Sequence, residues 1–548
     1  MDKLLKNIVV AVSLLAILCG FLFFFQLGKL ALTDPDETFY AETAKEMLAR
    51  GEWVTPYIYG HPQFEKPILF YWLVESSFKI FGVNEFAARL PSALFGMIGV
   101  IAIFFLGRIL FNSRAGFLSA IILATNVEYV VLSRACITDM VLFVFLLLAV
   151  TFFFYGYMRN RGHYYLLSAS AMAMAVLTKG PIFLILFILA ILVFLLIAKD
   201  LKALKRIPVW QSALVFIVLA LPWYLAMYRI HGQAFIDGFF GFHNVNRFLV
   251  SEHKIGSQVY YNIPIVLGGM FPWSLFIPVA FWQLFKKIRL GDKGAIFLMV
   301  WFIAIFGFFT ASSTKLPTYI FPCFLAVALI VGVLLDEFLR GLAATAVANG
   351  VRASYYTLAV IMLFGWVGAA IYAKLDLPSI LPGVVVSALC LAFGTMLSLT
   401  AFINKRPAWA FAFVAYSVAV FMIPLSAMVL PEVERYETSK EVSTGLLALM
   451  KPGEKLAAES NYVPGIAFYT GKFPLNLDKH HIQISFINSK ERVWAVMKNK
   501  NHGHLYNPEI TKQYVRPSYI VSSVGKRSII TNELPEGGRF LIKRERPE

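Results

Sequence analysis

The sequence predicts a polytopic α-helical membrane protein with about thirteen transmembrane helices, interfacial helices and a C-terminal soluble α/β domain. Of its 548 residues, 59% are hydrophobic and only 15% are charged, and the mean hydropathy is +0.70. The hydrophobic residues also fall in blocks of about twenty, the length that a helix needs to cross a hydrocarbon core of about 30 Å. A soluble chain would have to bury this apolar surface in several cores, whereas a membrane protein exposes it to lipid.

The predicted spans alternate with short loops that differ in charge. Lys and Arg concentrate in every second loop, and the positive-inside rule places these loops and the N-terminus in the cytosol and the C-terminus outside. Lys3 and Lys6 precede the first span, as in a signal peptide, but its apolar stretch is too long for one, so we expect it to be retained. The approximate bounds of the spans are 8–30, 87–107, 115–132, 140–157, 164–177, 181–198, 209–227, 262–283, 294–311, 317–335, 355–374, 381–402 and 408–430.

The change in composition near residue 430 predicts two domains. Residues 1–430 form a transmembrane domain with outer-face loops at 31–86 and 228–261. In residues 431–548 the apolar runs shorten to strand length and turn signals such as Pro535-Glu-Gly-Gly appear, which predicts an α/β domain on the outer side with a helix at 437–450.

The net charge of +17 does not require a nucleic-acid partner. Much of the charge lies in the predicted cytosolic loops, beside anionic lipid headgroups. The four cysteines form no Cys-x-x-Cys pair, so we infer neither a disulfide framework nor a zinc site from them.

The first outer segment contains the most informative residues. Asp34 as a cap, Pro35 at the first helical position and acidic residues in the first turn predict an interfacial helix that ends at Gly51. A second amphipathic stretch ends at Phe81-Gly82, and aromatic residues in this region are typical of membrane interfaces.

Charged and polar residues recur at the predicted outer ends of the spans, and each also has a purely structural interpretation. In that interpretation the acidic residues stabilise a helix N-terminus or cap a span, and Glu65-Lys66 is a solvated ion pair. The lysines extend their ammonium groups to the membrane surface, and the lone histidine lies at the membrane interface. The histidines of His480-His481 and His502-x-His504 are expected on surface loops. The outer-end candidates are Asp36, Glu37, Glu65, Lys66, Arg134, Asp139, Lys179, His243, Asn244, Arg247, Lys315 and Tyr319.

Six motifs resemble those of the bacterial lipid A aminoarabinose transferases, a family within the wider set that includes the protein O-mannosyltransferases. The resemblance covers essentially the whole chain. The motifs are Asp36-Glu-x-x-Tyr-Ala-Glu, Gly51-Glu-Trp-Val-Thr-Pro, Phe64-Glu-Lys-Pro, Phe81-Gly-Val-Asn-Glu-Phe-Ala-Ala-Arg-Leu-Pro, Leu177-Thr-Lys-Gly-Pro and Thr314-Lys-Leu-Pro-Thr-Tyr.

The resemblance implies a GT-C fold, a donor of undecaprenyl-phosphate-linked 4-amino-4-deoxy-L-arabinose and a lipid A phosphate as acceptor. It also implies that the protein lies in the bacterial inner membrane, with residues 1–430 as the catalytic domain and residues 431–548 in the periplasm. It implies catalytic roles for Asp36, Glu37 and Asp139. The residues implied to bind the donor phosphate are Lys66, Arg247, Lys179, Lys315 and Tyr319; Tyr40 and Tyr71 would line the substrate pocket. It also implies a divalent metal, zinc or magnesium, bound by Glu65 and His243.

The sequence departs from the family pattern at Phe39, where arginine is usual. A lost cation in this segment leaves open a lipid-linked transfer of another sugar, such as mannose, galacturonate or a hexosamine, to protein or glycan. Protein O-glycosylation would need a true general base. A transporter of lipid-linked sugars is the non-enzymatic alternative, which the gathering of charges at one face and the lack of an inverted repeat disfavour.

Overall fold

The computed structural model describes residues 7–239, 241, 258–511 and 513–544. By compactness the chain divides into two units, and their ranges differ from the predicted domains. The first unit comprises Met1–Leu27, Phe64–Leu73 and Arg89–Ala427, and the second comprises Gly28–Gln63, Val74–Ala88 and Met428–Glu548. Most of the predicted outer loop 31–86 therefore groups with the C-terminal residues.

Helices make up most of the described residues up to residue 424. In chain order the α-helices of seven or more residues are α1 (Ile8–Phe24), α2 (Asp36–Arg50), α3 (Leu69–Phe81), α4 (Glu85–Leu110), α5 (Ser113–Ala124), α6 (Val127–Ser133), α7 (Thr138–Arg159), α8 (His163–Lys179), α9 (Ile182–Ile197), α10 (Val209–His231), α11 (Asn262–Gly269), α12 (Ile277–Arg289), α13 (Lys293–Ala311), α14 (Phe324–Leu339), α15 (Thr345–Phe364), α16 (Trp366–Asp376), α17 (Leu381–Ile403) and α18 (Pro407–Pro424).

The predicted polytopic helical fold is confirmed. Within the described residues, eight helices are long and apolar enough to cross a membrane, and two bent pairs raise the number to ten if each pair is one span. The other predicted spans coincide with the shorter helices α1, α8 and α9, which have 16 or 17 residues. The protein is a multi-pass membrane protein.

Two predicted spans, 115–132 and 262–283, are wrong as continuous helices. The first is bent by 67° between α5 and α6, and the second by 114° between α11 and Trp273–Arg289. At the first break, the Asn126 amide donates to the Leu123 carbonyl at 2.8 Å and its oxygen accepts from the Tyr129 N–H at 2.9 Å. The side chain thus closes one helix and caps the next.

The helix predicted to end at Gly51 is present as α2, and it begins one residue later than predicted. Pro35, and not Asp34, occupies the N-cap position, and Asp36 is the first helical residue. Gly51 ends the helix at φ 67°, a conformation that glycine adopts without strain. The second amphipathic helix, α3, ends at Phe81 as predicted.

The C-terminal part of the second unit is an α/β fold around a mixed sheet. Before α3, β1 (Tyr57–Ile58) and β2 (His61–Pro62) form a hairpin. The elements of the unit after α3 are α19 (Leu430–Glu437), α20 (Lys440–Leu449), β3 (Lys455–Ala458), α21 (Val463–Thr470), β4 (Leu475–Asn476), α22 (His480–Ile487), β5 (Val493–Lys498), α23 (Asn499–Leu505), β6 (Ser518–Val524), β7 (Arg527–Thr531) and β8 (Ile542–Arg544). The strands of the sheet run in the order β4-β3-β5-β7-β6-β8, with β4, β3 and β5 parallel and the remaining pairs antiparallel.

The central strand β5 is buried on both faces. Val493 and Met497 contribute to one hydrophobic core with Leu505, while Trp494 and Val496 contribute to the other. One expected surface residue belongs to this interior: His502 is fully buried, and its Nε2 lies 2.7 Å from the Ser518 hydroxyl. The surface prediction for His502 is therefore wrong.

Helix α2 groups with the C-terminal fold because its side chains bond to that fold. The Lys45 ammonium donates to the Phe468 carbonyl at 2.8 Å and to the Glu42 carboxylate at 3.0 Å. Glu42 is 1% exposed, and burial raises its pKa to about 7. A buried network of this kind is costly to break on one side only.

Candidate active site

The two helix breaks of the first unit bond to each other. The Val127 N–H donates to the Phe271 carbonyl at 3.1 Å, and the Trp273 indole donates to the Thr125 hydroxyl at 2.9 Å. Backbone groups freed within a membrane need partners inside the protein. The contact therefore fixes α6, which leads directly to the candidate residue Asp139 at the start of α7.

Three residues predicted for the site are close together in the first unit. Asp139 lies in the first turn of α7, Lys179 ends α8, and their carboxylate and ammonium are 2.5 Å apart. The Lys179 ammonium also lies 5.1 Å from the centre of the Tyr319 ring. Asp139 is 7% exposed, so the pair neutralises itself in a largely dry environment.

Lys315 is a buried cation that lacks such a partner. Only 6% of the residue is exposed, and it makes no ion pair or side-chain hydrogen bond within the part of the chain that the structure describes. It lies two residues before the short helix Pro317–Cys323, which contains Tyr319. Because an unpaired buried charge is unfavourable, this position suits an anionic ligand.

Glu128 is a candidate that the sequence did not single out. It lies half-buried in the first turn of α6, near enough to Asp139 for the two carboxylates to interact electrostatically. The sequence does contain a pattern that could have indicated Glu128, because Asn126 and Glu128 place polar residues within an apolar block.

Arg134, in contrast, has a structural role. Its guanidinium donates to the carbonyls of Leu22 at 3.0 Å and Phe25 at 2.9 Å, at the end of α1. These are the carbonyls that a helix C-terminus leaves without partners. We therefore remove Arg134 from the candidates for ligand binding.

The second unit contains the two acidic residues at the start of α2, which differ in environment. Asp36 is exposed in the first turn. Glu37 is 4% exposed, and its carboxylate accepts bonds at 3.0 Å from both the N–H and the hydroxyl of Thr33. This geometry favours a chemical role for Asp36 and a structural role for Glu37.

A buried ion pair that sequence reasoning missed holds the segment before Asp36. The Asp34 carboxylate lies 3.5 Å from the Arg527 guanidinium and accepts a bond from the Ser439 hydroxyl. Arg527 also packs on the Tyr462 ring, 4.7 Å from its centre. No local pattern could indicate this pair, because the two residues lie near opposite ends of the sequence.

Glu75, on α3, is a second buried acid without a sequence signal. It is 0% exposed, and neither carboxylate oxygen has a hydrogen-bond partner among the described residues. Burial raises its pKa to about 7, with Lys79 acting in the opposite direction. The carboxyl group therefore stays protonated to a higher pH than an exposed glutamate does.

The remaining predicted residues are placed as follows. Glu65 and Lys66 are half-buried in the first unit just before α3, and Tyr71 on α3 is fully buried. Tyr40 is half-buried on α2 and its ring meets Phe39 edge-on at 5.5 Å.

The predicted metal site is only partly described. His243 lies outside the described residues, as do Asn244 and Arg247. Among the described residues, no group of three or more His, Cys, Asp or Glu side chains is arranged to hold a metal ion. Glu65 alone supplies one carboxylate, so a zinc or magnesium ion stays a prediction and no catalytic step is derived from it.

Sequence comparison places these residues in a known family. Residues 65–225 match the family described as dolichyl-phosphate-mannose-protein mannosyltransferase. The undecaprenyl phosphate-alpha-4-amino-4-deoxy-L-arabinose arabinosyl transferase of Shewanella sediminis is 30% identical over 372 residues, which cover 66% of this chain and 67% of that protein. Arabinosyl transferase 1 of Pseudomonas fluorescens is 31% identical over 351 residues, or 62% of each chain. The match thus spans about two thirds of the length of these relatives.

The fold has a solved counterpart in ArnT from Cupriavidus metallidurans, whose crystal structure contains bound undecaprenyl phosphate. The TM-score is 0.80 at 22% identity, and the match covers 96% of this chain and 98% of that one. The structural likeness establishes a shared fold, and the sequence match establishes shared ancestry. The chain belongs to the family of undecaprenyl phosphate-aminoarabinose arabinosyl transferases, which are membrane-embedded glycosyltransferases.

Proposed function

We propose that the protein transfers 4-amino-4-deoxy-L-arabinose from undecaprenyl phosphate to a phosphate of lipid A. The observation that carries the proposal is Lys315, a residue that is 6% exposed and has no ion-pair partner among the described residues. A polyprenyl phosphate brings an anion to a membrane-embedded site, because its isoprenoid tail stays in the bilayer. The sequence relationship to the aminoarabinose transferases of Shewanella sediminis and Pseudomonas fluorescens supports the choice of sugar.

The first unit supplies the cations for the donor. In the proposed reaction the bond between the anomeric carbon and the phosphate oxygen breaks, and negative charge accumulates on the leaving phosphate. Lys315 and Lys66, with help from Arg247, stabilise that charge. Lys179 remains paired with Asp139, so the pair positions the donor and contributes little net charge.

Asp36 supplies the carboxylate for the acceptor. Asp36 is exposed at the helix N-terminus and carries the proposed contact to the acceptor. An ionised phosphate is already nucleophilic, so Asp36 orients it rather than removing a proton. The new bond forms between the anomeric carbon and the acceptor oxygen in a single displacement with inversion.

The reaction is proposed for the outer face of the inner membrane. The positive-inside rule places the N-terminus in the cytoplasm and the C-terminal residues in the periplasm. Cysteine labelling tests this orientation at two exposed lysines, Lys199 in a predicted cytosolic loop and Lys479 in the C-terminal part. An impermeant thiol reagent should label Lys479→Cys and not Lys199→Cys in intact spheroplasts. The reverse pattern would place the C-terminal residues in the cytoplasm.

The decisive experiment combines the purified protein with lipid A and undecaprenyl-phosphate-aminoarabinose, and weighs the lipid product by mass spectrometry. A gain of one aminopentose on lipid A is expected in the wild type and not in Asp36→Asn. A folded wild-type sample that leaves lipid A unchanged would refute the acceptor or the sugar.

A different sugar or acceptor is the second candidate, and Phe39 favours it. The family usually has arginine at this position, whereas Phe39 here packs on Tyr40. Offering mannosyl, galacturonosyl and hexosaminyl lipid donors, with peptide and glycan acceptors, distinguishes the candidates. Movement of labelled donor lipid without a new glycosidic bond would instead indicate a transporter.

A further inference from the structure

The second unit contains an open groove of about 660 Å³ that the proposed reaction does not use. We call it the hairpin groove, because the turn between β1 and β2 lines one side. Its lining includes Tyr59, His61, Lys455, Lys472, Phe473 and Asn476. The volume lies within the range of about 300–1,000 Å³ that is typical of small-molecule sites.

The hairpin turn holds an aromatic residue in an unfavourable backbone conformation. Tyr59 has φ 53°, in the left-handed region that residues with a side chain rarely adopt. The Glu46 carboxylate holds the turn by accepting bonds from the N–H groups of Tyr59 at 2.5 Å and Gly60 at 2.9 Å. Glu46 is only 6% exposed. Conformations of this kind concentrate at ligand sites, where a side chain must be presented in one direction.

Aromatic and apolar side chains are exposed in the hairpin groove beside the turn. Phe473 is 49% exposed and Leu475 is 51% exposed. The Phe473 ring lies 6.3 Å from the Tyr59 ring. Aromatic side chains offer flat apolar faces with polar edges, which match the C–H faces and hydroxyl rims of sugar rings.

The charges of the hairpin groove favour an anion. The Lys472 side chain has no ion pair or hydrogen bond in the described part of the chain, and Lys455 pairs only with the exposed Glu491, at 2.8 Å. Such a surface pair is weak and can be displaced. The acidic residue of the lining, Glu454, is already neutralised by Arg492, whose Nε lies 2.7 Å from the carboxylate.

From this geometry we infer that the hairpin groove binds anionic sugar residues attached to the glycolipid acceptor, an inference that rests on the proposed function. Helix α2 connects the groove to Asp36, since Asp36 begins the helix and Glu46 holds the hairpin from its third turn. The roughly ten residues between them span about 15 Å at about 1.5 Å per residue. The groove is therefore too distant to hold the reacting oxygen, but it is within reach of an oligosaccharide on the same lipid.

The test measures binding and transfer separately, with the full chain in nanodiscs. The binding probe is a delipidated acidic core oligosaccharide, followed by saturation-transfer NMR, with neutral maltohexaose as the control sugar. The variants are Lys472→Glu and Phe473→Ser. Lys479→Glu, an exposed lysine of the same unit outside the groove lining, is the matched control.

The acidic oligosaccharide is expected to bind the wild type and Lys479→Glu with equal affinity. It should bind the two groove variants about tenfold more weakly, and maltohexaose should bind none of the proteins. In transfer assays, the groove variants should raise KM for lipid A that carries the acidic core, with unchanged kcat and unchanged KM for lipid A alone. Equal binding by all four proteins, or none by the wild type, would overturn the inference. Binding at the groove without transfer to either acceptor would refute the proposed function and leave the groove's ligand class supported.

Discussion

The Asp34 carboxylate lies 3.5 Å from the Arg527 guanidinium, and the two side chains are 1% and 5% exposed. The pair joins the segment before α2 to strand β7 within the second unit. Removing one partner leaves an unpaired buried charge, which typically costs about 3–5 kcal/mol.

Arg527→Met is therefore expected to lower the stability of the second unit by about that amount. Limited proteolysis at increasing urea concentration, with cleavage sites followed by mass spectrometry, measures the loss. Lys455→Met is the matched control, because its exposed pair with Glu491 should be worth less than about 1 kcal/mol. Equal resistance of the two variants would contradict a stabilising role for the Asp34–Arg527 pair.

The two acidic residues at the start of α2 should respond differently to amide replacement. Asp36 is exposed and Glu37 is bonded to Thr33. Asp36→Asn is expected to reduce transfer at least about 100-fold without changing the melting temperature. Glu37→Gln is expected to lower stability by about 1 kcal/mol and to retain activity in the folded fraction. Activity and thermal unfolding measured on the same samples check both, and full activity of Asp36→Asn would exclude its catalytic role.

Glu75 predicts a pH dependence of stability. Its pKa is raised by burial to about 7 in the folded protein, whereas an unfolded glutamate ionises near pH ~4.3. The folded state therefore keeps a proton that the unfolded state loses, and stability falls as the pH rises through this window.

Glu75→Gln removes that penalty. The variant is expected to exceed the wild type in stability by roughly 1–3 kcal/mol above about pH 7, with the difference shrinking towards about pH 4.5. Melting curves between about pH 4.5 and about pH 8.5 measure the difference, and Glu509→Gln, at an exposed position, is the control. A difference that is constant with pH would show that Glu75 does not titrate in this range.

The sequence predicted that Asp139 and Lys179 lie at the same membrane face, but not the ion pair between them. Span four begins and span five ends at the same membrane face, so residues at those two ends become neighbours through topology. The bends in the third and eighth spans were missed because hydropathy averages over a block, whereas one side chain, Asn126, redirects the backbone at the first of them. The Asp34–Arg527 pair and the buried Glu75 depend on how distant segments pack, which no local pattern encodes.

Lys315 provides the most direct test of the proposed donor site. It is 6% exposed and makes no ion pair among the described residues, so Lys315→Met removes a charge without orphaning an acidic partner. We expect the variant to fold normally, because a buried unpaired cation contributes no stability in the absence of ligand.

The affinity of Lys315→Met for undecaprenyl phosphate should fall by at least about tenfold, the loss typical of a charge-assisted contact. Ligand-induced thermal stabilisation in detergent measures this, with Lys374→Met, at an exposed position, as the control. Undiminished stabilisation of Lys315→Met by undecaprenyl phosphate would place the donor phosphate elsewhere in the protein.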